Sequence, residues 1–171
     1  MTHFAAFIVL AVLCLGVPGG AVLAADDATV KVAYLYNFVK FIQWPDEQRR
    51  TLRLCVMGDD GLGKAIDTLI GKPVRTMQIG VRHTVSPQET PQCDLIFLSG
   101  GQAPLLSRVR QAVNGYPILI VAESSDVLPK GAMVALIPSD NRIVFEVDLT
   151  TTRQLGLQIS AKLLQLARQV Y

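Results

Sequence analysis

The residues whose types and spacing invite chemistry sit in short turns between apolar runs. Gly58-Asp59-Asp60-Gly61-Leu62-Gly63-Lys64 follows the apolar run Leu52–Met57 and spells the first seven positions of a phosphate-cradling loop. The eighth position breaks the mechanics. Such a loop needs a Ser or Thr hydroxyl on Mg2+, and this chain has Ala65 there. Asp59 and Asp60 also stand inside the turn, where a polyanion would have to lie. The stretch is therefore read as a tight strand-to-helix turn without a phosphate role.

Nucleophilic chemistry is equally ill supplied. Ser99, Ser124 and Ser125 follow apolar runs, at the strand ends where nucleophiles often sit, yet the chain has no Gly-x-Ser-x-Gly elbow. Downstream of residue 24 the only histidine is His83, on or just past an alternating segment, which leaves neither a base with its partners nor a transition-metal ligand set. No enzymatic activity, metal or cofactor is expected.

The same turns are better suited to binding. In an open α/β sheet the crevice lies beyond the carboxyl ends of the parallel strands, which here gathers Asp59, Asp60, Ser99, Gly100, Glu123 and Ser124. Free N–H groups and serine hydroxyls supply donors, and the acids would repel a simple anion. A zwitterion, an amine-bearing small molecule or a basic side chain of a partner protein fits those charges. The alternative is that these residues only cap helices and solvate loops.

The elements that would hold these turns can be read from periodicity. The chain has 171 residues, half of them hydrophobic and 18% charged, which suits one domain with one core. Residues 1–24 contain no Asp, Glu, Lys or Arg; Phe4–Val17 is apolar, Pro18-Gly19-Gly20 breaks it, and Val22-Leu23-Ala24 resembles a cleavage site. The expectation is a secretory signal peptide over 1–24, cut after Ala24, with a single α/β domain over 25–171; an uncleaved membrane anchor running to Ala25 is the runner-up. The remainder carries 16 basic and 14 acidic residues without a basic block, so no nucleic-acid partner is expected.

Asp26 or Asp27 can cap a helix over about Ala28–Ile42, with Val32, Leu35, Phe38, Val39 and Ile42 on one face. Tyr34, Tyr36 and Phe41 widen that face, which serves either the core or a partner, and Trp44-Pro45 ends the helix. A strand over Thr51–Met57 and a helix over Gly61–Ile70 follow. Val74–Arg82 alternates, Ser86–Gln92 is a polar loop, and Asp94–Leu98 is an interior strand. A helix over Ala103–Val113 and a strand over Ile118–Val121 come next, and Met133–Ile137 with Ile143–Val147 form an antiparallel hairpin finishing the sheet. In the tail Asp148 caps a short helix, Gly156 closes it, Leu157 and Ile159 form an extended link, and Ser160 caps a second helix bearing Leu163, Leu164, Leu166 and Ala167. The fold class expected is a single three-layer Rossmann-like α/β domain, its sheet mostly parallel with a C-terminal antiparallel hairpin. Cys55 and Cys93 are either bridged, which needs Cα atoms within about 7 Å, or two buried thiols.

Several segments in this order resemble the YfiR-like family of exported bacterial proteins, whose best-known member represses a membrane-bound diguanylate cyclase. They are Phe41-Ile42-Gln43-Trp44-Pro45, Leu54-Cys55-Val56, Cys93-Asp94, Arg142–Leu149, Gly156-Leu157-Gln158-Ile159 and Leu163–Ala167. The resemblance implies a periplasmic α/β domain that works by binding, often as a homodimer, with a disulfide between Cys55 and Cys93. The repressor's second cysteine pair is missing, Leu128 and Ala135 standing at the matching positions. The implied partner is the periplasmic domain of an inner-membrane signalling protein, a diguanylate cyclase or sensor kinase. Tyr34, Phe41 and Trp44, with the C-terminal helix, are the expected contact surface. The competing expectation is a small-molecule-binding accessory protein of an uptake system.

Overall fold

Asp26 begins the first helix by accepting a hydrogen bond from the Ala28 N–H at 3.0 Å. The computed structural model describes residues 26–46, 49–58, 62–84, 86–99, 104–124, 126–140 and 142–171, so the expected leader lies outside the described residues. Helix α1 (Asp27–Phe41) buries Ala28, Val32, Leu35, Phe38 and Val39. Its aromatic face meets the far end of the chain: the Phe38 and Phe145 rings cross at 67° with centroids 5.3 Å apart, and Tyr34 lies 5.7 Å from Phe145. The helix stops one residue short of expectation because Ile42 turns extended and enters a two-residue strand, β1 (Ile42–Gln43).

The large sheet is built from β2 (Thr51–Met57), β3 (Pro73–Val74), β4 (Met77–Thr84), β5 (Leu95–Leu98), β6 (Leu119–Glu123), β7 (Val134–Ser139) and β8 (Arg142–Val147). All four residues of β5 and the first four of β6 are buried, as strands covered on both faces must be. Between β7 and β8 the pairing is antiparallel, Val134 opposite Val147, while β4, β2, β5, β6 and β7 pair in parallel. The molecule is thus an α/β domain with a mostly parallel sheet.

From β2 the chain goes outward to β4, then returns past β2 to β5 and continues to β6 and β7. The order of connection reverses between β2 and β5. Right-handed crossovers then send the intervening helices to opposite faces. Consistent with this, a 3-10 helix at Gly63–Leu69 packs on α1, whereas a second at Pro87–Gln92 packs on α2 (Leu106–Ala112).

Three local expectations are corrected. The segment expected as a helix over Gly61–Ile70 is 3-10 from Gly63 to Leu69: Leu62 offers no capping side chain, and buried Ile66 and Leu69 lie three apart, the 3-10 period. The polar loop Ser86–Gln92 is helical from Pro87, with the Ser86 hydroxyl accepting from the Gln88 N–H at 3.2 Å. The hairpin does not finish the sheet. After α3 (Leu149–Gln154), capped by Asp148, and Gly156 at φ +76, the link becomes β9 (Gln158–Ile159), antiparallel to β1. Ser160 then caps only one turn, α4 (Ala161–Leu164), Leu166 is 73% exposed, and β10 (Gln169–Val170) runs parallel to β8 as the last strand.

Cys55 and Cys93 form a disulfide with Cα atoms 5.9 Å apart. Carrying the β2–β5 register back from Leu54 opposite Leu95 would leave Cys93 beside Leu52. The chain instead bends at the end of the second 3-10 helix, where the Cys93 N–H donates to Thr90 O at 3.0 Å, and this bend brings the sulfur over Cys55. Both cysteines are at most 1% exposed. The bridge closes a separation of 38 residues, worth about 4 kcal/mol in the chain-entropy treatment. Reductant is expected to lower unfolding free energy by roughly 2–4 kcal/mol in the native chain and by nothing in C55A/C93A, measured by urea titration.

Candidate functional site

The expected crevice lies beside the reversal between β2 and β5, where Gly58 takes φ +94 to leave the strand. Asp59, Asp60 and Gly100 lie outside the described residues. Ser99, one residue past β5, is 6% exposed. Glu123, the last residue of β6, is held at 2.8 Å by Lys31 of α1, with both side chains less than a fifth exposed. Glu123, expected at the crevice, thus has a cationic partner within the fold.

Ser124 adopts φ +141, unusual for a residue with a Cβ, and its hydroxyl donates to the Asp126 carboxylate, which also pairs with Lys130. The donors from Lys130 and Ser124 lower the Asp126 pKa to about 2. These three residues fasten the turn between β6 and β7, so Ser124 is engaged in local structure. His83 has its Nε2 3.2 Å from Asp67 Oδ1 on the surface. Among the described residues no cluster of three or more His, Cys, Asp or Glu side chains could hold a metal ion.

The proposed contact surface is also rearranged. Trp44 is 7% exposed and belongs to the core, its indole N–H donating to Asp94 O at 3.1 Å, so it leaves the expected surface. Tyr34 spends its hydroxyl on Ile143 O at 2.7 Å and its ring on Phe145. Phe41 remains half-buried, with the Lys40 ammonium 5.8 Å from its ring centroid.

Sequence reasoning missed two buried carboxylates, one just before β5 and one within β8. Asp94 is 4% exposed and accepts the Arg53 N–H at 2.8 Å, Arg53 Nε and Nη2 at 3.1 Å, and Arg49 Nη1. Glu146, 7% exposed, accepts from Arg168 Nη2 at 2.6 Å and from the Tyr171 hydroxyl at 3.2 Å. Partial desolvation, followed by that hydrogen bond to Glu146, pushes the Tyr171 phenol above its usual pKa. A lone acid inside an apolar strand was the available signal, since such a group must find a partner. Beside Glu146 lies a cavity of ≈ 320 Å³ walled by Leu128, Pro129, Asp148, Thr150 and Tyr171.

Comparison with known proteins adds the following. A family model described as YfiR/HmsC-like matches residues 28–168. No curated protein matches the chain. A conserved domain protein from Vibrio cholerae O1 biovar eltor is similar in structure, with a TM-score of 0.58 at 9% identity over 82% of this chain and 60% of that one. The ABC domain in complex with L-Trp from Streptococcus pneumonia gives a TM-score of 0.56 at 11% identity over 84% of this chain and 60% of that one. At such identity the likeness is one of fold, and this chain spans 60% of the length of each.

The Asp126 carboxyl is expected to titrate near pH 2 and to move back toward 3.8 in Lys130→Met, read from side-chain carboxyl NMR shifts. Because the folded value is depressed, what this group adds to stability is present above pH 4 and lost between about pH 4 and 2.

Proposed function

This chain belongs to the YfiR/HmsC-like family, and on that premise we propose that it is a non-enzymatic regulatory protein of the periplasm. It binds the periplasmic domain of an inner-membrane diguanylate cyclase or sensor kinase and sets that enzyme's output. The observation carrying this reading is the extent of the family match, residues 28–168, which takes in nearly all the described body from α1 to the start of the terminal strand. The composition is compatible: 171 residues with a charge-free apolar start suit an exported single domain. Among the described residues no helix is long and apolar enough to cross a membrane. Affinity capture from detergent-solubilised membranes is expected to recover a membrane protein with a cyclase or kinase domain, and deletion is expected to change cyclic-di-GMP level or kinase output. Failure of both would overturn the reading.

The second reading, a small-molecule-binding accessory protein of an uptake system, is favoured by the cavity beside Glu146 and Asp148. At ≈ 320 Å³ it falls within the size range of small-ligand pockets; Glu146 is already met by Arg168 and Tyr171, which leaves the apolar walls and the Asp148 carboxylate to receive a small amine-bearing molecule. In a melting-temperature screen of amino acids and amines, a saturable rise is expected to disappear in Thr150→Trp, which blocks the exposed mouth. No rise across the panel removes this reading.

A further inference from the structure

We propose that Asn114 is a site of spontaneous deamidation, where the link between α2 and β6 exchanges a side-chain amide for a carboxylate without an enzyme; this inference stands apart from the regulatory reading. The chain has three asparagines, and only Asn114 is followed by glycine. Asn37 precedes Phe38 inside α1, where helical bonding engages the N–H that would have to react. Asn141 precedes Arg142, and a Cβ next to the reacting nitrogen obstructs the attack.

Asn114 and Gly115 are the central residues of a turn closed by the Tyr116 N–H, which donates to Val113 O at 3.0 Å. Gly115, at φ +79, takes the place that a type II turn reserves for glycine. That closing bond leaves the peptide between the two central residues outside the turn's own hydrogen bonding. Among the described residues neither the Asn114 side-chain amide nor the Gly115 N–H has a partner, and both residues are exposed. No atom stands within 4 Å of where a Cβ would project from Gly115, so the approach to its nitrogen is open. The flanks are anchored, Val113 at 0% and Ile118 at 3% exposure. The central peptide can therefore rotate into reach of the side chain while the core on either side stays packed.

The Gly115 nitrogen attacks Asn114 Cγ. Hydroxide takes the N–H proton, the N–Cγ bond forms, and the Cγ–Nδ2 bond breaks as ammonia leaves. The product is a succinimide ring, which water opens at either carbonyl. Opening at Cγ restores the ordinary main chain with an aspartate; opening at the α-carbonyl routes the main chain through Cγ and gives an isoaspartate, longer by a methylene. The net reaction consumes water and releases ammonia, with nothing oxidised or reduced. Each event lowers the formal net charge by one unit from +2. It also sets a carboxylate just past the C-terminal end of α2, where the helix already carries partial negative charge. The added methylene falls on the short link that delivers Leu119 to its hydrogen bond with Asp94 O.

The test incubates the whole folded chain at mildly alkaline pH and digests samples with trypsin. The peptide running from Gln111 to Lys130 holds a single asparagine. It is expected to yield paired new peaks with the mass gain of an amide-to-acid exchange, assigned to residue 114 by fragmentation, one of them labelled by an isoaspartyl methyltransferase. The rate should rise with hydroxide and stay within about tenfold of that in the same peptide free in solution, since an exposed turn costs little to open. Asn114→Gln, at an exposed position, should keep the melting temperature and lose both peaks, because the longer side chain closes its ring far less readily. A peptide without mass gain, a gain that appears only after unfolding in urea, or a gain located at Gln111 and retained in Asn114→Gln would each overturn the site.

Discussion

The buried carboxylate of Asp94 is the constraint around which the rest of the domain is arranged. A charge 4% exposed at the mouth of an interior strand must be matched, and it is matched by the backbone and guanidinium of Arg53 and by Arg49. Its main chain is engaged as fully as its side chain. The Asp94 N–H donates to Arg53 O, and its carbonyl accepts from both Leu119 N–H and the Trp44 indole. One residue therefore joins β2, β5, the approach to β6 and the exit from α1, and its neighbour Cys93 adds the covalent bond to Cys55. Removing either would leave an unpaired charge or a loosened junction where the sheet's connections change direction.

That junction explains what could and could not be read from the amino-acid sequence. β2 was legible to the residue because Thr51–Met57 is an apolar run ending in a glycine with positive φ, and β5 because four consecutive buried residues follow Asp94. The hairpin Val134–Val147 was legible because its connection is too short for a crossover helix. Partnerships between distant segments were hidden. Nothing near Ile159 states that it pairs with Ile42, and a two-residue strand has no period to detect. Trp44 illustrates the same limit: an aromatic residue before proline looks like a surface anchor until the carbonyl that receives its N–H is located.

Of the residues expected at the crevice, Ser99, Glu123 and Ser124 stand at the ends of β5 and β6. Glycines and serines do follow the strands at the topological reversal. The charge of Glu123, however, is met by Lys31 from a helix more than ninety residues earlier, which no local pattern could reveal. Glu146 and Arg168 make a similar long-range pair that fastens β10 to β8. Buried acids in this fold are thus mainly internal fasteners.

The pairing of β1 with β9 bears on how the chain acquires its structure. Ile42 meets Ile159, and Tyr34 and Phe38 meet Phe145, so although the 3-10 helix at Gly63–Leu69 packs on the first helix early, its aromatic rings lack their partner until the last thirty residues arrive. Contacts this far apart close large loops and raise the contact order, which slows folding relative to locally wired domains. During synthesis, which proceeds from the N-terminus, the aromatic stripe must wait exposed through almost the whole of translation, and the segment with most need of a chaperone is the one made first.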